Sequence, residues 1–303
     1  MGAGSVGGYF GARLVQAGRD VTFLVRPERA RQLQQKGLRI KSPHGDFSVH
    51  PKLAVAGKLD GHYDVILLSV KAYALEQAIS DFAAFVGAGT MILPVLNGMR
   101  QIEVLISRFG PGPVLGGVAL IVADVDQERR IVQSADIQQL TYGELEGGIS
   151  SRIKTLDQIL SGAGFVAQAS SDITQAMWEK WLQLASLGAV TCLMRGTIGD
   201  VATARGGAAL SRAVVRECAA IAAACGHPPS EGLLDWHTGL MMQPGSALTS
   251  SMYRDMRKGT HVEAEHILGD LHQRGAARGV AAPLLEAALV NLRIYEATLQ
   301  SGS

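Results

Sequence analysis

The chain has 303 residues, which at roughly 150 residues per domain suggests two medium-sized domains with ample core. Lys and Arg number 28 against 27 Asp and Glu, a net charge of +1, so there is no basic surplus for phosphate backbones or anionic headgroups, and nucleic-acid and membrane-surface roles are disfavoured. A composition 47% hydrophobic and 18% charged is that of a folded globular protein, and 36 glycines point to tight turns and close backbone approaches.

In chain order, Gly2-Ala3-Gly4-Ser5-Val6-Gly7 fits G-x-G-x-x-G, and Gly11, Ala12, Leu14 and Val15 continue an apolar helical face. Such glycines permit a tight turn, a close approach of backbone to pyrophosphate and close helix packing, with the helix N-terminus facing the phosphates. The motif requires a preceding strand. Because the numbering opens at Met1, the expectation is that a start-site choice or an upstream segment accounts for that strand. Next come Val21–Val25, Glu28–Lys36, Val65–Val70, Leu75–Phe85, Met91–Leu96, Ile102–Phe109 and Val114–Ala119, apolar runs alternating with helical patterns. Strand–helix alternation at this spacing implies a parallel, doubly wound sheet covered on both faces. Residues 120–145, with the charged turn Asp126–Arg130, read as an antiparallel hairpin at a sheet edge. Gly162–Ala167 reads as a turn and last strand, and Ser171-Asp172 as a helix N-cap. Beyond it the periodicity is helical almost to the end. The expected fold is therefore an α/β Rossmann-type dinucleotide-binding domain over 1–170 followed by an all-α substrate domain over 171–303.

At the end of the second strand an acidic residue would bond the adenosine ribose hydroxyls and favour NAD, whereas Arg26 stands here with Arg29 and Arg31 following. A guanidinium suits a 2′-phosphate, so NADP(H) is the expected cofactor. No apolar run reaches the ~18 residues that cross a bilayer, and no charged-then-apolar leader opens the chain, so a soluble, cytoplasmic protein is expected. Cys192, Cys218 and Cys225 form no C-x-x-C pair and read as buried thiols. His44, His50 and His62 lack metal-ligand spacing, and His261 and His266 straddle Glu263 without forming H-E-x-x-H, so no metal is expected.

Four patterns carry chemistry: Ser69-Val70-Lys71-Ala72 and Leu96-Asn97-Gly98-Met99 at strand ends, Trp178-Glu179-Lys180-Trp181 on a helix, and Ser250-Ser251-Met252 with Ser251 twelve residues before Glu263. In this order they resemble the ketopantoate reductase (2-dehydropantoate 2-reductase) family over essentially the whole chain. The resemblance implies reduction of ketopantoate to pantoate by NADPH, a step towards pantothenate and coenzyme A. Carried over residue by residue, Gly2, Gly4, Ser5, Val6, Gly7, Arg26, Lys71 and Asn97 would bind cofactor, and Asn97, Lys180, Ser251 and Glu263 would bind substrate. Lys180 and Glu263 are implied as catalytic: an ammonium beside the carbonyl oxygen stabilises its growing negative charge and then supplies the proton, while the carboxylate bonds the substrate hydroxyl and orients the lysine. Trp178 and Trp181 beside Lys180 could desolvate it and lower its pKa.

Each residue also has a plain structural reading. Lys180 reads as a snorkelling surface lysine, Thr260–Glu263 as a capping box, Ser251 as an N-cap, Asn97-Gly98 as a turn, and Lys71 and Arg26 as solvated helix starts. The family commonly places asparagines one and two turns beyond the lysine, where this chain has Leu184 and Gly188. A more apolar 2-oxo acid is therefore an alternative substrate. A non-catalytic NADP-binding sensor and a 6-phosphogluconate-like or 3-hydroxyacid dehydrogenase are further alternatives. The Ala- and Gly-rich helical half is compatible with a homodimer interface and equally with packing inside a monomer.

Overall fold

The computed structural model describes residues 1–57 and 61–301, which divide into two compact units, Met1–Leu96 with Gln101–Thr174, and Asn97–Arg100 with Gln175–Ser303.

The first unit is α/β. Helix α1 (Ser5–Gln16) leads to β1 (Thr22–Leu24), α2 (Pro27–Lys36), β2 (Leu38–Lys41), β3 (Phe47–Val49), β4 (Lys52–Ala54), β5 (Val65–Leu68), α3 (Leu75–Phe82), β6 (Met91–Pro94), α4 (Arg100–Phe109), β7 (Gly116–Val125), β8 (Ile131–Gly143), α5 (Ser151–Leu160) and β9 (Val166–Ala169). Strand β1 pairs parallel with β4, and β5 pairs parallel with β6. Of the strand expected before the glycine loop, the chain supplies Met1 and Gly2, which join these pairs. The Gly2 amide donates to the Leu24 carbonyl, the Met1 amine to that of Leu67, and the Ser69 amide to that of Met1. An isolated parallel bridge between Ile92 and Val114 extends the order beyond β6, so the strands run in the sequence that places dinucleotide loops at their carboxyl ends. A cavity of about 160 Å³ lined by Met1, Gly11, Phe23, Val65, Leu67 and Phe82 lies alongside β1 and β5.

The sheet is not wholly parallel as the alternation suggested. Strands β7 and β8 form the expected long antiparallel hairpin, but β2 and β3 form a second antiparallel pair, with β2 and β9 running parallel to β8. Strands β2 to β4, three or four residues each, interleave polar residues, as in Leu38-Arg39-Ile40-Lys41 and Phe47-Ser48-Val49, and so do not stand out as the continuous apolar runs of β5 and β6 do.

Helix α1 carries Gly7, Gly8 and Gly11 in its interior although glycine costs about 1 kcal/mol there. A methyl group on Gly8 would lie 2.4 Å from Ile131 Cδ1 and one on Gly11 2.5 Å from the Phe23 ring. The absent side chains are what let α1 lie on the sheet.

The second unit is helical: α6 (Ile173–Met194), α7 (Ile198–Thr203), α8 (Gly207–Ala224), α9 (Glu231–Leu240), α10 (Ser251–Arg257), α11 (Asp270–Ala276) and α12 (Pro283–Ser301). Helix α6 buries Met177, Trp178, Trp181, Leu182, Ala185, Ala189 and Val190, an apolar surface on several sides that belongs to a central helix rather than a surface one. Among the described residues no helix is long and apolar enough to cross a membrane. The three thiols are free; Cys192 and Cys218 are buried and Cys225 is half-buried.

Within this unit the ring of His237 on α9 shares a 2.8 Å hydrogen bond with Ser186 Oγ on α6, and its other nitrogen is buried without a partner. Burial pushes its pKa from 6.5 down to about 4. The native state thus disfavours the charged imidazole while the unfolded chain accepts the proton near pH 6.5. Stability from this group is complete at neutral pH and falls as pH drops through 6.5 towards 4. At about pH 5 the loss relative to pH 7.5 amounts to about 2 kcal/mol. Urea unfolding of the wild type and His237→Asn at both pH values checks this: the wild type should lose about 2 kcal/mol more than the variant, and equal losses would contradict it.

Candidate active site

In the first unit the glycine motif meets the requirements of a phosphate cradle. Gly2 has φ +87°, which a side chain would strain, and a methyl group on Gly4 would meet nothing within 4 Å, leaving that stretch of backbone open to a ligand. A methyl group on Gly7 would lie 1.8 Å from Ser69 Oγ, whose hydroxyl donates to the Met1 carbonyl at 3.0 Å. The first turn of α1 presents amides that have no partner inside the helix. Ser5 and Val6 are both half-buried there.

Arg26 is exposed at the N-cap of α2, one residue beyond Val25. Arg29, one turn on, reaches further than the sequence suggested: its guanidinium donates to the Ala3 carbonyl in the glycine loop at 3.4 Å and to the Arg129 carbonyl at 3.4 and 3.5 Å. Burial and the neighbouring Arg129 both lower the Arg29 pKa. Arg129 sits in the β7–β8 turn with φ 60°. A half-buried cation held beside a second cation next to a phosphate cradle is an arrangement that an added anion relieves. These residues fit a nicotinamide dinucleotide. Lys71 lies exposed at the carboxyl end of β5, where open α/β sheets bind ligands.

In the second unit Lys180 lies on α6 beside Trp181, whose indole N–H donates to the Ile267 carbonyl at 2.8 Å. Desolvation lowers the Lys180 pKa from 10.5 to about 8, and the carboxylate of Glu263 acts in the opposite direction. Glu263 is itself buried. Thr260 is not the N-cap expected over Thr260–Glu263, because the helical turn begins only at Ala264; the Thr260 hydroxyl donates back to the Asp255 carbonyl at 3.0 Å. Glu263 instead stands just before a π-helical turn, Glu265–Gly269, and its carbonyl accepts from the Ile267 amide at 3.0 Å. Wide turns of this kind are frequent at functional sites. Val262 is pinned by donation of its amide to Glu296 at 2.6 Å.

Asn97 belongs to this same unit. Gly98 has φ +82°, and a methyl group there would lie 2.9 Å from the His266 carbonyl and 3.3 Å from its ring. The N-cap of α10 is Ser250, whose hydroxyl accepts from the Tyr253 amide at 2.9 Å and shares a 2.8 Å hydrogen bond with Thr191. That leaves Ser251, half-buried in the first turn, outside the capping role. Leu184 is half-buried, and at Gly188 a methyl group would lie 2.5 Å from Met252 Cε. The space of the second family asparagine is taken by a methionine methyl.

The fold and these groups define a dinucleotide-dependent oxidoreductase. Family models match twice, ketopantoate reductase PanE/ApbA over residues 1–147 and its C-terminal part over 172–296. The chain belongs to the ketopantoate reductase family. It is 35% identical over 297 residues, 98% of each chain, to the uncharacterized oxidoreductase YkpB of Bacillus subtilis strain 168. It is 28% identical to the crystal structure of 2-dehydropantoate 2-reductase from Methylococcus capsulatus, with a TM-score of 0.85 over 98% of this chain and 95% of that one. D-mandelate dehydrogenase, solved with NADH and anilino(oxo)acetate, shares the fold at 20% identity and a TM-score of 0.89 over 99% of this chain and 98% of that one.

Sequence reasoning missed Arg129, Met252 and the part played by Arg29 and His266. Arg129 and Met252 act through contacts distant in sequence. His266, three residues after Glu263, was visible only as a histidine with no metal spacing.

The Gly7 contact yields an expected outcome. Gly7→Ala forces Ser69 or α1 to move and should destabilise the protein by about 1–3 kcal/mol, while Gly4→Ala, with open space at Cβ, should cost less than about 1 kcal/mol. Urea unfolding measures both, and equal stability of the two variants would contradict the packing role of Gly7.

Proposed function

We propose that this protein is an NADPH-dependent 2-oxo acid reductase that converts ketopantoate to pantoate, with Lys180 as general acid. The observation that carries the reading is a lysine brought by burial to a pKa of about 8 beside a buried carboxylate. An ammonium poised near working pH both stabilises a developing alkoxide and gives up its proton. The bound reduced nicotinamide supplies the hydride. Lys180 then donates a proton to the carbonyl oxygen as the carbon is reduced, and recovers one from solvent. Glu263 keeps the ammonium charged, bonds the substrate hydroxyl and orients the lysine. Ser251 binds the substrate carboxylate and Asn97 sits beside the nicotinamide. Gly2, Gly4, Ser5, Val6 and Gly7 hold the pyrophosphate, Lys71 contacts the cofactor, and Arg26, joined by Arg29, favours the 2′-phosphate of NADPH over NADH.

A second substrate is favoured by one feature. With Leu184 and the Met252 methyl where the family has amides, positions 184 and 188 of α6 offer no hydrogen bond to a substrate hydroxyl. A 2-oxo acid with an apolar side chain suits it. Cofactor oxidation measured against ketopantoate and a panel of alkyl and aryl 2-oxo acids separates the two readings. Turnover should fall at least about 100-fold in Lys180→Ala and be faster with NADPH than with NADH. Ketopantoate as the best substrate supports the first reading, and an apolar acid as the best supports the second. NADPH binding without turnover of any panel member would overturn both in favour of a sensor.

A further inference from the structure

Three elements of the second unit converge on one short segment. Trp181, next to Lys180, is anchored on the Ile267 carbonyl; the Glu263 carbonyl is anchored on the Ile267 amide; and Gly98, next to Asn97, lies against His266. His266 is buried, and its ring N–H donates to the Asn97 carbonyl. The ring edge bearing Nε2 and Cδ2 is the one that faces Gly98. Around it stand Glu263 from the segment that precedes the turn, Asp270 from α11 and Arg100 beyond the Asn97–Gly98 turn.

We propose that His266 is the positioning residue that locks the Asn97–Gly98 turn to the Glu263 segment, so that Asn97, Glu263 and Lys180 hold one geometry. This rests on the reductase reading for its catalytic consequence but not for its structural one. The contact works in both directions. Any side chain at position 98 would strike the His266 backbone, and any side chain at 266 without an N–H donor leaves the Asn97 carbonyl without this partner. The wide π-helical turn is what carries the His266 ring to the carbonyl while Ile267 still serves Trp181 and Glu263. Burial lowers the pKa of the ring, while Glu263, Asp270 and the hydrogen bond to Asn97 raise it and Arg100 lowers it. A neutral imidazole retains one N–H, which suffices for the bond.

The test uses the full-length protein with two substitutions. His266→Gln keeps an N–H close to the Nε2 position, and His266→Phe fills the volume without a donor. Hydrogen–deuterium exchange of peptides covering residues 95–101 reads the turn without any need for turnover. Exchange there should be at least about tenfold faster in His266→Phe and within about threefold of wild type in His266→Gln. On whichever substrate the wild type turns over, kcat should fall by about 10- to 100-fold in His266→Phe with NADPH affinity little changed, and His266→Gln should recover most of it. Unchanged exchange at 95–101 in His266→Phe would overturn the positioning role whether or not the protein is a reductase. Equal loss in both variants would reduce the residue to packing and overturn it as well. Wild-type inactivity with the exchange pattern as expected would sink the reductase reading alone and leave the lock standing.

Discussion

Withdrawing one ammonium in part from water is the constraint around which the helical unit is arranged. Lys180 is half-buried on a helix whose other faces are largely apolar, and this desolvation drops its pKa to about 8. An uncompensated buried ammonium would be costly, and the carboxylate of Glu263 offsets part of that cost. Glu263 is buried too, so its segment has to be held from outside: Val262 hangs on Glu296, Ile267 receives Trp181, and the Thr260 hydroxyl ties the connection back to α10. The π-helical turn follows from these ties, because one segment must serve several partners at once. The reactivity assigned to Lys180 and the packing of the unit thus have one origin.

The α/β unit answers a different constraint, the closeness of backbone to backbone. Gly7, Gly8 and Gly11 let α1 press on Ser69, Ile131 and Phe23, while Gly4 stays open. The same helix is both a packing element and a phosphate cradle, and the glycines separate cleanly by the direction in which each missing side chain would point. Arg29 completes the arrangement by reaching from α2 to the glycine loop.

Much of this was legible in the residues. Strands β5 and β6, four residues each, show as continuous apolar runs, Val65–Leu68 and Met91–Leu93, the β7–β8 hairpin is betrayed by its charged turn, and the glycine loop has a fixed spacing. Lys180 and Glu263 stood out through the resemblance that their surrounding motifs carry. Strands β2 to β4 were lost because their few apolar residues are interleaved with polar ones and form no continuous run. The cap of α10 fell one residue early, on Ser250, since two adjacent serines offer the same chemistry and only the partner Thr191 on α6 decides between them. The capping box at Thr260 was one local pattern displaced by another, since the helical turn starts only at Ala264 and the Thr260 hydroxyl bonds back to Asp255 at the end of α10. His266 was unreadable because its meaning lies in Asn97 and Gly98, which are distant in sequence.

The pH dependence of kcat for 2-oxo acid reduction, in the wild type and in Glu263→Gln, tests the pairing of Lys180 with Glu263 most directly. If Lys180 donates the proton, the rate falls as pH rises through about 8. Because Glu263 raises the Lys180 pKa, its removal moves that fall to lower pH. A rate that stays flat from about pH 7 to about pH 10, or a fall that Glu263→Gln leaves in place, would contradict it.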